Sequence, residues 1–290
     1  MIDSSLLHHL LNGLLMILLP VGLGVYLTRK LSLGWRLWWI GAGTFVLSQV
    51  GHIPFNFGLT ALFQSGILPK PPATWTPVFN AVVLGLSAGL WEELARYAAY
   101  RWWAKDARWW GKGLLLGAGH GGIEAIILGG IVLATLVNMA VVRNLDLSNL
   151  VSPEQLTAAQ QQVTAYWGAP WYLIMLGLLE RCWAIVFHLA ASLLVLQVFI
   201  RRQIGWLWLA VGWHAFLDAV AVYTSRLWTP YLVEALIGVL ALVSLWIIFS
   251  LRQQEPAVEE EIASSPAPVN LQSLVDLEDT KENIEQSRYD

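Results

Sequence analysis

Four strongly apolar stretches of this 290-residue chain carry ionisable residues in close pairs: Glu92-Glu93-Leu94-Ala95-Arg96, His120-Gly121-Gly122-Ile123-Glu124, Glu180-Arg181 followed by His188, and His214-Ala215-Phe216-Leu217-Asp218. Carboxylates and imidazoles brought together are the material of acid–base catalysis and of metal sites. A carboxylate such as Glu92, partly desolvated and held by Arg96, can take a proton from water, with Glu93 as its substitute. Histidines on facing helices can orient that water, donate to a developing oxyanion, or bind a divalent metal such as zinc as neutral imidazoles. His120, His188 and His214 are the candidates for those roles and for metal ligation. Arg96, Glu124, Glu180 and Asp218 are expected to support them, Glu124 and Asp218 by fixing tautomer and ring orientation.

The elements that must position these groups are membrane helices. Hydrophobic residues make up 57% of the chain and charged residues only 13%, and apolar runs recur that reach the ~20 residues needed to cross a ~30 Å hydrocarbon core. The runs are continuous rather than alternating, which points to an all-α, polytopic integral membrane bundle and not to a barrel. Seven spans are expected, near 5–28, 37–63, 78–102, 113–142, 169–200, 204–224 and 229–250. A charge at bilayer depth costs roughly 2.5–3.5 kcal/mol, so each ionisable residue needs a partner, a wet cavity or a function.

Orientation follows from the loops. Ten basic residues (Arg29, Lys30, Arg36, Arg101, Lys105, Arg108, Lys112, Arg201, Arg202 and Arg252) fall on one set of alternating connections, against Lys70, Arg143 and Arg226 on the other. This bias places the first set and the C-terminus in the cytoplasm and the N-terminus outside a plasma membrane that the chain crosses several times. Tryptophans such as Trp38, Trp102 and Trp110 flank the basic loops as an interfacial belt. Met1 to Ser5 lacks a basic n-region, so no cleavable signal is expected. The organisation is a helical domain over 1–252 carrying the site and an acidic cytoplasmic tail over 253–290, expected to be disordered because its ten acids face only Lys281 and Arg288. The 143–168 segment reads as an external loop with a short amphipathic helix. The lone Cys182 excludes an internal disulfide, and no basic excess suggests nucleic acid: the expected partners are the lipid bilayer and a membrane protein or membrane-bound peptide substrate.

Depth and spacing sharpen the site. Glu92, His120, His188 and His214 lie some 8 to 13 residues from the basic ends of their spans, roughly 12–20 Å at the helical rise, and so share one layer, expected to open toward the cytoplasm. Residues four apart share a helix face, so Glu92 can meet Arg96, His120 can meet Glu124 and His214 can meet Asp218, while Arg181 points elsewhere toward an acid on another helix. His52, beside Pro54, is a weaker candidate for lining the cavity. Gly85-Leu86-Ser87-Ala88-Gly89 matches the serine-hydrolase pattern G-x-S-x-G, but that pattern needs a strand-to-helix elbow and here it lies inside an apolar helix. No H-E-x-x-H zinc signature is present.

The ordered set Glu92-Glu93-x-x-Arg96, Gly119-His120-Gly121-Gly122-Ile123-Glu124-Ala125, Glu180-Arg181-x-x-Ala184-x-x-Phe187-His188 and His214-x-x-x-Asp218 resembles the YhfC family of intramembrane proteases, in the larger group of CAAX-type prenyl endopeptidases. The resemblance implies a glutamate-based or metal-assisted hydrolase whose first motif glutamate activates water and whose histidines position that water or a metal. The CAAX-type pattern places three residues between its second acid and its arginine; here two separate Glu93 from Arg96, so prenylated substrates do not follow. Two other readings use the same polar layer: a proton- or ion-coupled carrier, motivated by the spacing echo between Glu92…Glu124 and Glu180…Asp218, and a non-catalytic membrane scaffold.

Overall fold

The computed structural model describes residues 4–149 and 151–252; the expected acidic tail lies outside the described residues. Its elements are α1 (Ser4–Lys30), α2 (Arg36–Gln64), α3 (Thr76–Ala98), α4 (Trp110–Val142), α5 (Pro153–Gly168), α6 (Trp171–Ile174), α7 (Leu176–Ile200), α8 (Gly205–Thr224) and α9 (Pro230–Ser250). No strand occurs among the described residues. A π-turn, Ala99–Trp103, prolongs α3, and a 3-10 turn, Leu147–Asn149, precedes α5. Proline in the first turn starts α3, α5 and α9 where a missing N–H costs nothing.

Among the described residues six helices are long and apolar enough to cross a membrane: Ser4–Lys30, Thr76–Trp103, Trp110–Val142, Trp171–Ile200, Gly205–Thr224 and Pro230–Ser250. The chain is therefore an all-α polytopic membrane bundle. The remaining expected span, α2, has the length at 29 residues, about 43 Å of helix. Polar residues spread along it keep it out of the strongly apolar set.

Successive long helices reverse direction, which gathers the basic connections at one end. Arg36 donates from Nη1 to Asp106 at 2.9 Å and from Nη2 to the Trp103 carbonyl at 2.6 Å, and Trp110 Nε1 donates to the Ile248 carbonyl at 2.8 Å. At the far end His9 stacks on Tyr166 with centroids 4.0 Å apart, and Asn12 Oδ1 accepts the Leu178 N–H at 3.0 Å. The hydrophobic core fills the basic half. Tyr100, Leu115, Leu116, Leu193 and Leu196 are wholly buried there.

Helix pairs in this half meet backbone to backbone, because lipid supplies no hydrophobic drive and close packing must do the work. A Cβ on Gly119 would sit 1.9 Å from the Trp38 carbonyl oxygen, one on Gly41 2.0 Å from that of Leu116, and one on Gly85 2.4 Å from that of Ala215. These glycines bring α2 onto α4 and α8 onto α3, the four helices that carry most of the site.

Candidate active site

Glu92 and Glu93 occupy one turn of α3 but face different neighbours. Glu92 accepts from Gln49 Nε2 at 3.2 Å through Oε1 and lies 2.9 Å from His120 Nε2 through Oε2. Glu93, fully buried, takes Arg96 from its own helix and His214 Nδ1, at 2.7 Å, from α8. The close seam between Gly85, Gly89 and α8 makes the second contact possible: a Cβ on Gly89 would come 2.8 Å from the Val211 carbonyl and 3.3 Å from the His214 Cβ.

Arg96 is the buried cation of the layer. It pairs with Glu93 and donates from Nη2 to His188 Nδ1 at 2.7 Å, while staying 3.9 Å from Glu92. His188 then holds its remaining N–H on Nε2, directed at Glu124 at 2.5 Å. Glu124 also accepts from Arg181 at 2.5 Å, and Arg181 pairs as well with Glu180. Its expected acid on another helix is thus Glu124. His188 itself sits over a glycine: a Cβ on Gly121 would stand 2.8 Å from its Cδ2.

The structure gathers Glu92, Glu93, Arg96, His120, Glu124, His188 and His214 into one network, with Glu180 and Asp218 at its margin. The pairings run mostly between helices rather than along them. His120 does not use Glu124, which is drawn across to Arg181 and His188, and Arg96 prefers Glu93 to Glu92. The pair His214–Asp218 does form within α8, at 3.5 Å.

The cavity beside this network, about 120 Å³, is lined by Glu92, Glu124, Glu180, His188, His214 and Asp218 among others. It also touches Ala221 and Ile237, which lie toward the far end of α8 and α9. The expected opening toward the basic end is therefore corrected: leucines and small residues close the bundle there, and Glu124, Glu180 and Asp218 lie on the other side of the histidine layer. Glu93 does not line the cavity; Glu92 does.

A profile of the family described as YhfC intramembrane metalloprotease matches residues 15–237. The chain belongs to this family. It is 32% identical over 249 residues to the uncharacterized membrane protein YhfC of Bacillus subtilis (strain 168), a match that covers 82% of this chain and 93% of that protein. No solved structure matches it significantly.

The donor set fits the metal that the family's description implies. One oxygen of Glu92 and one ring nitrogen each of His120 and His188 lie within 4.8 Å of one another, and all three residues are buried; for His188 to ligate, one of its ring nitrogens would have to give up its contact with Arg96 or Glu124. His120 adds a sharper sign. The Thr44 hydroxyl donates to the Gly41 carbonyl at 2.5 Å, so at 2.7 Å it can only accept the His120 Nδ1–H. In neutral His120 the Nε2 lone pair then confronts a carboxylate oxygen at 2.9 Å. Two electron-rich atoms at that separation call for a cation between them, a proton or a metal. An Nδ1–H tied to the protein is also how ligating histidines are usually fixed. His214 stands outside this group, its Nδ1 engaged by Glu93.

The sequence reading passed over Thr44, Gln49, Asn56 and the surroundings of Ser87. Ser87 lies inside α3, as the helix demands, and its Oγ stands 3.1 Å from both His52 Nε2 and Asn56 Oδ1. The flanking Gly85 and Gly89 are explained by packing against α8. A signal for the missed residues exists: on α2, Thr44, Ser48, His52, Asn56, Thr60 and Gln64 recur every fourth position, a polar stripe along a helix that otherwise faces lipid and protein.

Proposed function

We propose that this chain is an intramembrane peptidase that hydrolyses peptide bonds of membrane-embedded substrates in the plasma membrane, with its basic loops cytoplasmic. What supports this reading most is the meeting of Glu92 with His120 at the wall of a buried cavity, inside a family described as metalloproteases. Glu92, His120 and His188 would hold a divalent ion, which lowers the pKa of bound water and polarises a carbonyl. The chain's own groups supply the rest. Gln49 pins Oε1 of Glu92 at 3.2 Å, which turns Oε2 toward His120 and the ion, so Oε1, which would not ligate the ion, keeps a second lone pair to receive the proton of an attacking water. His214 is held by Glu93 at Nδ1, while its Nε2 faces Glu92 at 3.9 Å and Asp218 at 3.5 Å, so it can carry a proton to the leaving amine. The balance is that of hydrolysis: one water gives its hydroxyl to the acyl carbon and its proton to the nitrogen. Glu93 and Arg96, out of the cavity, keep His214 and His188 in place.

A coupled carrier would need its polar groups to continue to the basic face. Instead the wholly buried Leu115, Leu116, Leu193 and Leu196 intervene. The test of the peptidase reading is Glu92→Gln, which keeps shape and removes the base. Turnover of a fluorescent single-span model protein in proteoliposomes should be lost while the variant remains monodisperse and its melting temperature stays within a few degrees; unchanged turnover would sink the assignment.

A further inference from the structure

The polar stripe of α2 does not end at the active site. Asn56 Nδ2 donates to His52 Nε2 at 2.8 Å, which leaves the His52 Nδ1–H for Gln49 Oε1 at 3.3 Å, and Gln49 Nε2 donates to Glu92 Oε1 at 3.2 Å. Ser87 joins from α3, its Oγ lying 3.1 Å from Asn56 Oδ1 and 3.0 Å from the Leu84 carbonyl, the two acceptors for its one proton. One line of donors thus runs from Asn56 through His52 and Gln49 to Glu92, with Gln49 Nε2 also donating to Ser48 Oγ at 3.3 Å. Beyond Asn56 the stripe runs into a cleft of about 490 Å³ between the far halves of α2 and α3, where Thr60, Gln64, Lys70, Thr76 and Asn80 supply a polar strip in a wall otherwise made by Leu59, Phe63, Phe79, Val83 and Leu84. A cavity needs only some 10–15 Å³ and two to four polar partners to hold one water.

We propose that this cleft and the Asn56–His52–Ser87–Gln49 track are the water inlet of the enzyme, admitting the hydrolytic co-substrate from the face opposite the basic loops. The proposal rests on the peptidase reading for the use of the water, but not for the route. Polar side chains at every turn of a membrane helix are costly against lipid and cheap against water. Toward the basic end the polar groups Tyr100, Ser192 and Gln197 are themselves buried to 1% exposure or less among leucines and glycine-mediated backbone contacts, and no cleft comparable to the one between α2 and α3 reaches them among the described residues. By the positive-inside rule the inlet therefore opens outside the cell. A lipid acyl chain is the alternative occupant of the cleft, and it would leave the stripe dry.

Cysteine accessibility separates these cases without requiring turnover. In a Cys182→Ser background, single cysteines replace Asn80 and Thr60 in the cleft, Asn56 at its floor and Ser87 at the inner end. Val82→Cys is the control, at similar depth on α3 but 51% exposed on its outer surface. A membrane-impermeant cationic methanethiosulfonate, added to intact spheroplasts, attacks only thiolates, which form in water and not in lipid. The cleft and track positions should react at least about tenfold faster than Val82→Cys. Thr60 makes no side-chain contact with the track beyond its donation to the Asn56 carbonyl, so it serves if the Asn56 or Ser87 variant does not fold. Rates equal to the control from both sides would overturn the inlet in favour of lipid; reaction confined to inverted vesicles would overturn its direction. Loss of proteolysis in Glu92→Gln with a dry cleft would leave the peptidase standing and the inlet refuted, and a wet cleft with Glu92→Gln fully active would do the reverse.

Discussion

Arg96→Met should be among the most damaging single changes in the chain outside the apolar core. Arg96 and Glu93 are both wholly buried, and Arg96 also holds His188 through Nδ1 at 2.7 Å. Methionine approximates the length of the arginine stem but leaves the Glu93 carboxylate with His214 as its remaining polar partner. Removing one member of a buried ion pair costs about 3–5 kcal/mol, because the other charge stays behind uncompensated. At about 2–4 °C per kcal/mol for a protein of this size, the melting temperature should fall by roughly 6–20 °C. Adding Glu93→Gln removes the stranded charge and keeps an acceptor for His214, so the double variant should regain about 2 kcal/mol relative to Arg96→Met alone. The assay is tryptophan-fluorescence melting of wild type, both single variants and the double in one detergent. A loss below about 1 kcal/mol in Arg96→Met, or a double variant no more stable than Arg96→Met, would refute the reasoning, since either result means that Glu93 does not depend on Arg96 for its charge compensation.

Glycines on α4 should divide by their surroundings: Gly119→Ala, whose Cβ meets the Trp38 carbonyl at 1.9 Å, should destabilise by about 1–3 kcal/mol or more, whereas Gly130→Ala, with nothing within 4 Å, should be neutral or stabilise by up to about 1 kcal/mol in the same melts. Thr44→Val removes the acceptor that orients His120 and should weaken zinc binding about 10–100-fold in chelator competition; His120→Ala should abolish stoichiometric metal as read by elemental mass spectrometry, and a metal content equal to wild type would exclude His120 as a ligand. At the basic surface, partial burial opposes ionisation of Asp106, but the hydrogen bonds and charge of Arg36 outweigh it and hold the carboxyl below the usual carboxylate range. A lowered folded value means that its stabilisation is present above the ordinary pKa of about 3.9 and is lost as pH falls through the folded value. Asp106→Asn should therefore differ from wild type in full above about pH 4, by less than about 1 kcal/mol given its half-exposed side chain, and the two should converge once the pH has fallen below the folded value.

The spans were legible because apolar runs and prolines mark helix ends directly; α1, α4 and α7 to α9 fall within a few residues of their expected limits, with the short α6 leading into α7. The membership of the polar layer was legible for the same reason, since a charge in an apolar run has to be accounted for. What spacing could not give was who pairs with whom. An i,i+4 relation states that His120 and Glu124 can meet, and it is silent about Arg181, 57 positions away from Glu124, whose stronger charge claims that carboxylate. The direction of the opening was misread on similar grounds. Counting residues to the basic ends measures depth, but it does not register that Leu115, Leu116, Leu193 and Leu196 fill the interval. The polar stripe of α2 is open to view at a fixed period of four, yet apart from His52, a weaker candidate for lining the cavity, its residues are uncharged and do not stand out beside the ion pairs.

The pairing of Glu124 with Arg181 also constrains how the protein is made. α3 enters the bilayer with Arg96 already within a turn of Glu93, so its charges are partly balanced from the start. On α4 the partner within reach along the helix is His120, four residues from Glu124, and the stronger Arg181 charge comes only with α7. An unpartnered acid at mid-membrane is costly on insertion scales, and α4 offsets it with 33 residues whose most apolar window reaches a mean hydropathy of 2.4. Glu124 gains its contacts with Arg181 and His188 only when α7 packs on α4, so this part of the site closes no earlier than that pairing of helices.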